Sequence, residues 1–250
     1  MSMAVTVHEV DQDRTDNVPL KVTHISQRLT RPNEIPLAMT IETIESKVYE
    51  PVGLCIYCGA TENLGKEHIV PLALGGTLVL PRASCTSCSR ITGEFEGKVL
   101  RERDVASVRR FRGLPSRSQH AASPDTTKVS ITRDAAEEVI EFDVGSGPNF
   151  MHFPRLEPPG YLGLTSYERG INVIGLDTIS FGPNPKEVIK ALGGTAVSGS
   201  GTMHPGTFAR MIAKIAYAYV AAEDLLGHLH GRPLLLTAIL GQSDDIGRWV

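Results

Sequence analysis

Hydrophobic residues recur at steps of three and four in the late part of the chain, which is the spacing of one face of an α-helix. The stripe comprises Phe208, Met211, Ile212, Ile215, Tyr219, Ala222 and Leu226. It predicts a helix over about 205–227, whose apolar face packs in the core or binds a partner. A shorter helix is predicted between Asn184-Pro185, a cap residue and a first-turn proline, and Gly193.

Alternating β-branched and polar residues predict strands at 128–132 and 138–144, joined around Asp134 into a hairpin. The segment 145–160 is rich in proline and glycine, which predicts a loop. Residues 89–112 are largely compatible with a helix. The pattern as a whole predicts a mixed α+β fold.

Composition divides the chain into four parts. Residues 1–50 mix charges and prolines without a sustained period, and predict an N-terminal arm with one strand near 38–43. Residues 51–113 contain all the cysteines and predict a first compact domain. Residues 114–127 are rich in Ser, Pro and small polar residues, which predicts a linker. Residues 128–250 predict a C-terminal α+β domain.

Charge is distributed unevenly along the chain. The 250 residues are 41% hydrophobic and carry a net charge of −3, which excludes a uniformly basic nucleic-acid-binding protein. Residues 98–117, however, contain seven basic and two acidic residues, a net charge of +5 that leaves −8 for the remainder. Such a segment is either a solvated face or a surface that binds phosphates.

Several features favour an intracellular protein. The N-terminal residues carry acids early and lack the features of a secretory signal, and no apolar stretch approaches the roughly 18 residues of a membrane span. Four cysteines are too few for a disulfide scaffold in a chain of this length. We therefore expect a cytoplasmic location and no membrane partner.

The four cysteines form two Cys-x-x-Cys pairs, Cys55 with Cys58 and Cys85 with Cys88. Two such pairs, with no cysteine left over, have the spacing of two knuckles that bind one tetrahedral Zn²⁺ through four thiolates. The alternative is four unrelated buried thiols. A zinc ion closed by four sulfurs has no open coordination position, so it would stabilise the fold and take no part in catalysis.

Between the two pairs the chain reads Glu67-His68-Ile-Val-Pro, followed by Gly75-Gly76. With the cysteine pairs and the helix that follows, this motif resembles the HNH (ββα-metal) nucleases that carry zinc knuckles. The resemblance covers about residues 54–96. It implies a small zinc-stabilised ββα-metal unit, here followed by the basic helix and a second α+β region, and an endonuclease that hydrolyses phosphodiester bonds in DNA.

The residue chemistry of this motif agrees with phosphodiester hydrolysis, which needs an activated water and a cation on the developing charge. His68 can act as the general base, because an imidazole is largely neutral at cytoplasmic pH. Glu67 offers a hard carboxylate oxygen for Mg²⁺ or Mn²⁺. The resemblance implies that Glu67 is a ligand of the catalytic ion.

Two positions depart from the family pattern. Thr77 stands where the family has the asparagine that orients the general base. Ser89 stands at the last metal-ligand position, directly after the final cysteine. If Ser89 opens a helix, Glu96 shares its face at i+7 and is either the replacement ligand or a solvent-facing residue.

Two functions therefore remain open. The first is a metal-dependent endonuclease with His68 as its general base. The second is a catalytically degenerate zinc-binding module that binds DNA or a protein. The C-terminal region is expected to bind a partner protein, to select the substrate or to form a homodimer. The basic residues expected to contact DNA are Arg101, Arg109, Arg110 and Arg112.

Overall fold

The computed structural model of the protein describes seven segments of the chain, residues 46–114, 126–134, 136–143, 145–163, 170–199, 203–223 and 233–250. Most of the predicted N-terminal arm, including the strand expected near 38–43, lies outside the described residues. The described segments contain both helices and strands, so the predicted mixed α+β class is confirmed. Among the described residues, no helix combines the length and the apolar character needed to cross a membrane.

The cysteine-containing part of the chain forms an antiparallel hairpin followed by a helix. Strand β2 (Leu64–His68) pairs with β3 (Leu78–Cys85), and the short strand β1 (Lys47–Val48) lies parallel to β3 on its other edge. Helix α1 (Thr86–Leu100) begins directly after β3. The strand pair brings the sequence before His68 next to the second cysteine pair.

The connection between β2 and β3 needs its two glycines. After the 3-10 turn Leu72–Leu74, Gly75 adopts a φ of 82°, a left-handed conformation that favours glycine. A Cβ on Gly76 would lie 2.0 Å from the carbonyl oxygen of Val70. The Gly-Gly pair therefore lets the chain return closely enough for β3 to pair with β2.

The helix predicted over 89–112 is two helices. Helix α1 ends at Leu100, and α2 comprises Arg103–Phe111. Between them the buried Glu102 accepts the backbone N–H of His204 at 2.9 Å, and its Oε1 lies 3.0 Å from His204 Nδ1. The junction contains no proline, and the break coincides with this tertiary contact. Because the contact involves a residue far away in the sequence, the local helical pattern did not predict the break.

The predicted hairpin after the linker is confirmed. Strand β4 (Thr126–Arg133) pairs antiparallel with β5 (Ala136–Asp143), where strands were expected at 128–132 and 138–144. The short strand β8 (Ala196–Ser198) covers the other edge of β4.

The loop predicted at 145–160 is wrong over half its length. Strand β6 (Asn149–Leu156) pairs antiparallel with β7 (Val173–Phe181), and Pro154 lies opposite Leu176. Proline is tolerated in β6 because both strands of a two-stranded sheet are edge strands. Proline content alone therefore misled the sequence prediction here.

The short predicted helix is confirmed as α3 (Pro185–Ala191). The Asn184 side chain accepts a hydrogen bond from the backbone N–H of Lys186 at 3.0 Å, as expected of an N-cap residue. Gly193 follows the helix with a φ of 64°. Cap, proline and terminal glycine all occupy the positions that the sequence indicated.

The long predicted helix is α4 (Pro205–Ala222), and residues 224–227 lie outside the described residues. Its predicted apolar face is partly wrong, because Ile212 and Tyr219 are exposed. The buried face consists mainly of small residues and contains one lysine, a combination that hydrophobic periodicity does not identify. Its members are Thr207, Ala209, Met211, Ala213, Lys214, Tyr217 and Ala218.

The main hydrophobic core joins the cysteine-containing hairpin to the last helices. Its fully buried members come from 55–99 and from 209–246. Helix α4 packs on α1, and α5 (Leu235–Ile239) packs on α4. The main core thus includes residues from both predicted domains. Residues 115–125 of the predicted linker lie outside the described residues, and the domain boundary stays a prediction.

Candidate functional site

The four cysteines come together as the sequence predicts. Their sulfur atoms all lie within 4.8 Å of one another, and Cys58 and Cys85 are 3.6 Å apart at Sγ. That distance is far beyond a disulfide bond of about 2.05 Å. It is close to the edge of about 3.8 Å that a tetrahedron with Zn–S bonds of about 2.3 Å would have. The cysteines are thus placed to bind one metal ion, and a structural zinc is consistent with this arrangement.

Local backbone structure places each cysteine pair. In the first knuckle, Cys55 donates its N–H to Ala60 at 2.7 Å and accepts the N–H of Gly59 at 2.7 Å. The second pair lies at the start of α1, with Cys85 as its N-cap and Cys88 in the first turn. Burial and the charge of Cys55 raise the pKa of Cys88. Burial acts to raise the pKa of Cys85, but the backbone amide of Cys88 and the neighbouring sulfurs outweigh it and lower the pKa to about 7.

Glu67 and Glu96 meet at one cation, and that cation is a lysine. The ammonium of Lys214, on α4, lies 2.6 Å from Glu67 Oε1 and 2.8 Å from Glu96 Oε1. The Lys214 side chain is 1% exposed, against 7% for Glu67 and 17% for Glu96. One buried ammonium therefore lies between the two carboxylates and offsets part of their charge.

Lys214 also ties α4 to the end of β2 through the backbone. Its ammonium donates to the carbonyl oxygen of His68 at 2.5 Å and lies 3.3 Å from that of Ile69. Counting the two carboxylates, four oxygens surround an ammonium that has three N–H donors. The charge of Lys214 is thus fully compensated, which is the condition for burying it.

A tyrosine pair connects the carboxylates to the first cysteine knuckle. The rings of Tyr57 and Tyr217 lie 6.1 Å apart between centroids, and the Tyr217 hydroxyl donates to the carbonyl of Ile56 at 2.9 Å. Burial raises the pKa of Tyr57 well above its ordinary value, and the charges of Glu67 and Glu96 raise it further. Cysteine cluster, carboxylates and α4 therefore form one continuous structure.

A catalytic Mg²⁺ or Mn²⁺ does not fit these residues as they stand. A divalent ion bound at about 2.1 Å to the oxygens of Glu67 and Glu96 would lie against the ammonium of Lys214. Two positive charges at such a distance repel strongly in a buried site. In this structure the ammonium of Lys214 occupies the position beside Glu67 and Glu96 that a divalent ion would need.

Ser89 and Glu96, the two candidate residues for the last metal-ligand position, lie apart in the structure. Ser89 and Glu96 both lie on α1, but seven residues of helix separate them by roughly 10 Å along the axis. Ser89 is exposed, whereas Glu96 reaches the buried Lys214. Glu96 thus pairs with Lys214 and is not simply solvent-facing. The roles of Ser89 and Glu96 as metal ligands stay predictions.

His68 and Thr77 flank the connection between the two strands. His68 is the last residue of β2, is partly buried and pairs with Val79 on β3. Thr77 is partly buried and directly precedes β3. Their roles as general base and as its orienting partner stay predictions.

The predicted DNA-binding arginines divide into two groups. Arg109 is partly buried and donates from Nε to the carbonyl of Ala73 at 2.7 Å and from Nη1 to that of Leu100 at 3.2 Å. Burial lowers its pKa. Arg109 thus connects α2 to the residues before β3 and to the end of α1. The other three predicted residues, Arg101, Arg110 and Arg112, are exposed.

Sequence reasoning missed Lys214. One signal could have identified it: a lysine three residues from both Met211 and Tyr217, inside a helix in which Arg210 is the only other charged residue. A charge at that spacing on a buried face needs an acidic partner. Glu67 and Glu96, already singled out for metal binding, were the candidates.

Comparison with known proteins identified no related protein. No protein family, no curated protein and no solved structure matches the chain. The resemblance to HNH nucleases therefore rests on the cysteine pairs and on the motif around His68.

Proposed function

We propose that the protein is a zinc-stabilised, HNH-related DNA-binding module in which Lys214 has taken the place of the catalytic cation. The observation that carries this proposal is the ammonium of Lys214, 1% exposed and 2.6 Å from Glu67. Further support comes from the cysteine cluster, from the order of strand, strand and helix, and from the basic surface that follows.

The proposal makes the second function named above the favoured one. A metal-dependent nuclease needs Glu67 available to the ion, which requires Lys214 to leave a site where four oxygens compensate its charge. Displacing Lys214 from this site would either leave its ammonium without a compensating charge or require a large rearrangement of α4. The endonuclease remains the second candidate, because His68 and Glu67 are both present side by side at the end of β2.

Plasmid cleavage separates the two functions. Purified protein, incubated with supercoiled plasmid and Mg²⁺ or Mn²⁺, is expected to retard the DNA in a gel without nicking it. Cleavage that requires the divalent ion and falls at least ~100-fold in His68→Ala would overturn this expectation and establish the endonuclease. Cleavage that His68→Ala leaves unchanged would identify a contaminating nuclease.

Duplex binding should depend on the exposed arginines. Replacing Arg101, Arg110 and Arg112 together with alanine is expected to weaken binding to any duplex sequence and to flatten its salt dependence. Each lost phosphate contact reduces the slope of log affinity against log salt by about 0.9, so the triple change reduces it by up to roughly 2.7. Fluorescence anisotropy at several salt concentrations measures the slope. Arg109 is left unchanged, because its donors bind backbone carbonyls.

A matched variant controls for net charge. Arg155, Lys186 and Lys190 are exposed residues outside the cysteine-containing unit, and replacing them with alanine removes the same three charges. This variant should keep the parental slope. Equal losses in both variants would mean that the basic segment makes no particular contact with DNA.

A further inference from the structure

A small cavity lies between α2, β4 and β6, and its lining includes neither the clustered cysteines nor Lys214 and its partners. Its volume is about 20 Å³, enough for one or two water-sized groups. Two cationic side chains, two hydroxyls, one carboxylate and one imidazole line it: Arg103, Lys128, Ser107, Thr127, Asp104 and His152. Neither the sequence motifs nor the proposed DNA surface accounts for this concentration of polar groups.

The imidazole of His152 is the central feature of the cavity. Its Nδ1 lies 2.8 Å from Asp104 Oδ2, and the side chain is only 6% exposed. Its Nε2 atom is buried and has no hydrogen-bond partner among the described residues. A buried ring nitrogen in this state is costly to the fold, so it calls for a ligand at the cavity.

The charges around the cavity determine which ligand suits it. Arg103 and Lys128 would repel a metal ion, and both can donate hydrogen bonds to oxygen. The hydroxyls of Ser107 and Thr127 are further donors. Glu141 lies 3.4 Å from Lys128 and partly offsets its charge. Asp104 Oδ1 is a buried acceptor that also has no hydrogen-bond partner among the described residues. The donors of five side chains still outnumber the carboxylates of Asp104 and Glu141, which favours an anion with several oxygen atoms.

We propose that this cavity binds a phosphate group. The Nδ1 atom of His152 donates to Asp104 Oδ2 at 2.8 Å, and in the complex its Nε2 atom donates to a phosphate oxygen. The small volume admits only one or two oxygens of the phosphate. The rest of the group lies at the mouth, where the Lys128 side chain is 48% exposed. The same chemistry suits free phosphate, a phosphate monoester or the terminal phosphate of a nucleic acid.

Calorimetric titration of the full-length protein with inorganic phosphate tests the site, with chloride at matched ionic strength as the blank. Loss of one charge-assisted hydrogen bond should weaken binding about tenfold or more in His152→Gln and in Lys128→Gln. Glu141→Gln removes the competing carboxylate and should strengthen binding. Arg155→Gln, an exposed change on the same strand as His152, should leave it unchanged.

The opposite effects expected at Lys128 and Glu141 keep the test decisive even if His152→Gln fails to fold, because both side chains are half-exposed. No heat of binding in the parent would overturn the proposal, as would equal affinities in the Lys128 and Glu141 variants. Further titrations with a nucleoside monophosphate, and with duplexes that carry or lack 5′-phosphates, identify the source. Tighter binding of the phosphorylated duplex alone would assign the site to nucleic-acid ends.

Discussion

Replacing Cys85 with serine, or removing the metal with a chelator, is expected to unfold the unit formed by residues 54–100 and to release α4 from it. Metal binding supplies on the order of 10 kcal/mol or more to the folding of zinc-finger peptides. Here the buried cysteines belong to the same core as α4, so the loss should extend beyond the knuckles. Circular dichroism should show a large loss of helix and a collapse of the melting transition.

Ser87→Ala provides the matched control, because Ser87 is exposed between Cys85 and Cys88. This variant should melt like the parent. Elemental analysis should find about one zinc per chain in the parent and in the control. A metal-free parent, or a Cys85→Ser variant with an unchanged melt, would contradict a structural zinc site.

The local parts of the fold were predictable because their signals are local. Two Cys-x-x-Cys pairs specify a cluster by spacing, and Asn184-Pro185 with Gly193 specifies a short helix through capping. The hairpin of β4 and β5 follows from side-chain alternation. Each of these predictions depends on residues close together in the chain, or on a ligand geometry that permits few alternatives.

The missed parts depend on long-range contacts. The junction of α1 and α2 is occupied by Glu102, whose partner His204 lies 102 residues away, and Lys214 lies 146 residues from His68. Motif reasoning predicted Glu67 as a ligand of a catalytic ion and Glu96 as either a second ligand or a solvent-facing residue, and it did not predict Lys214 as their partner. The partner came instead from α4, a helix assigned to a different domain by composition.

Lys214→Met is expected to destabilise the protein by about 3–5 kcal/mol, because it leaves the carboxylates of Glu67 and Glu96 in the interior without a compensating charge. Urea denaturation followed by circular dichroism measures the change in the free energy of unfolding. Lys47→Met is the matched control. Lys47 forms an exposed pair with Glu223 at 3.7 Å, and such a pair contributes little to stability because solvent screens it.

A compensated variant tests the physical cause of that loss. Adding Glu67→Gln and Glu96→Gln to Lys214→Met removes both unpaired charges and should recover a large part of the stability. A triple variant no more stable than Lys214→Met would attribute the loss to packing of the lysine side chain. Comparing the triple variant with Lys214→Met therefore distinguishes the loss of charge compensation from the loss of side-chain packing.

Manganese then tests whether Lys214 occupies the place of a divalent ion. In Lys214→Ala the two carboxylates lose their cation and gain space, so Mn²⁺ should bind there and raise the melting temperature, as any ligand of the folded state does. In the parent, Mn²⁺ should leave the melting temperature unchanged, because the ammonium holds the same oxygens. Glu67→Gln in the Lys214→Ala background should abolish the gain. Stabilisation of the parent by Mn²⁺ that Glu67→Gln removes would show that metal and lysine coexist, and would restore the metal-dependent endonuclease as the favoured function.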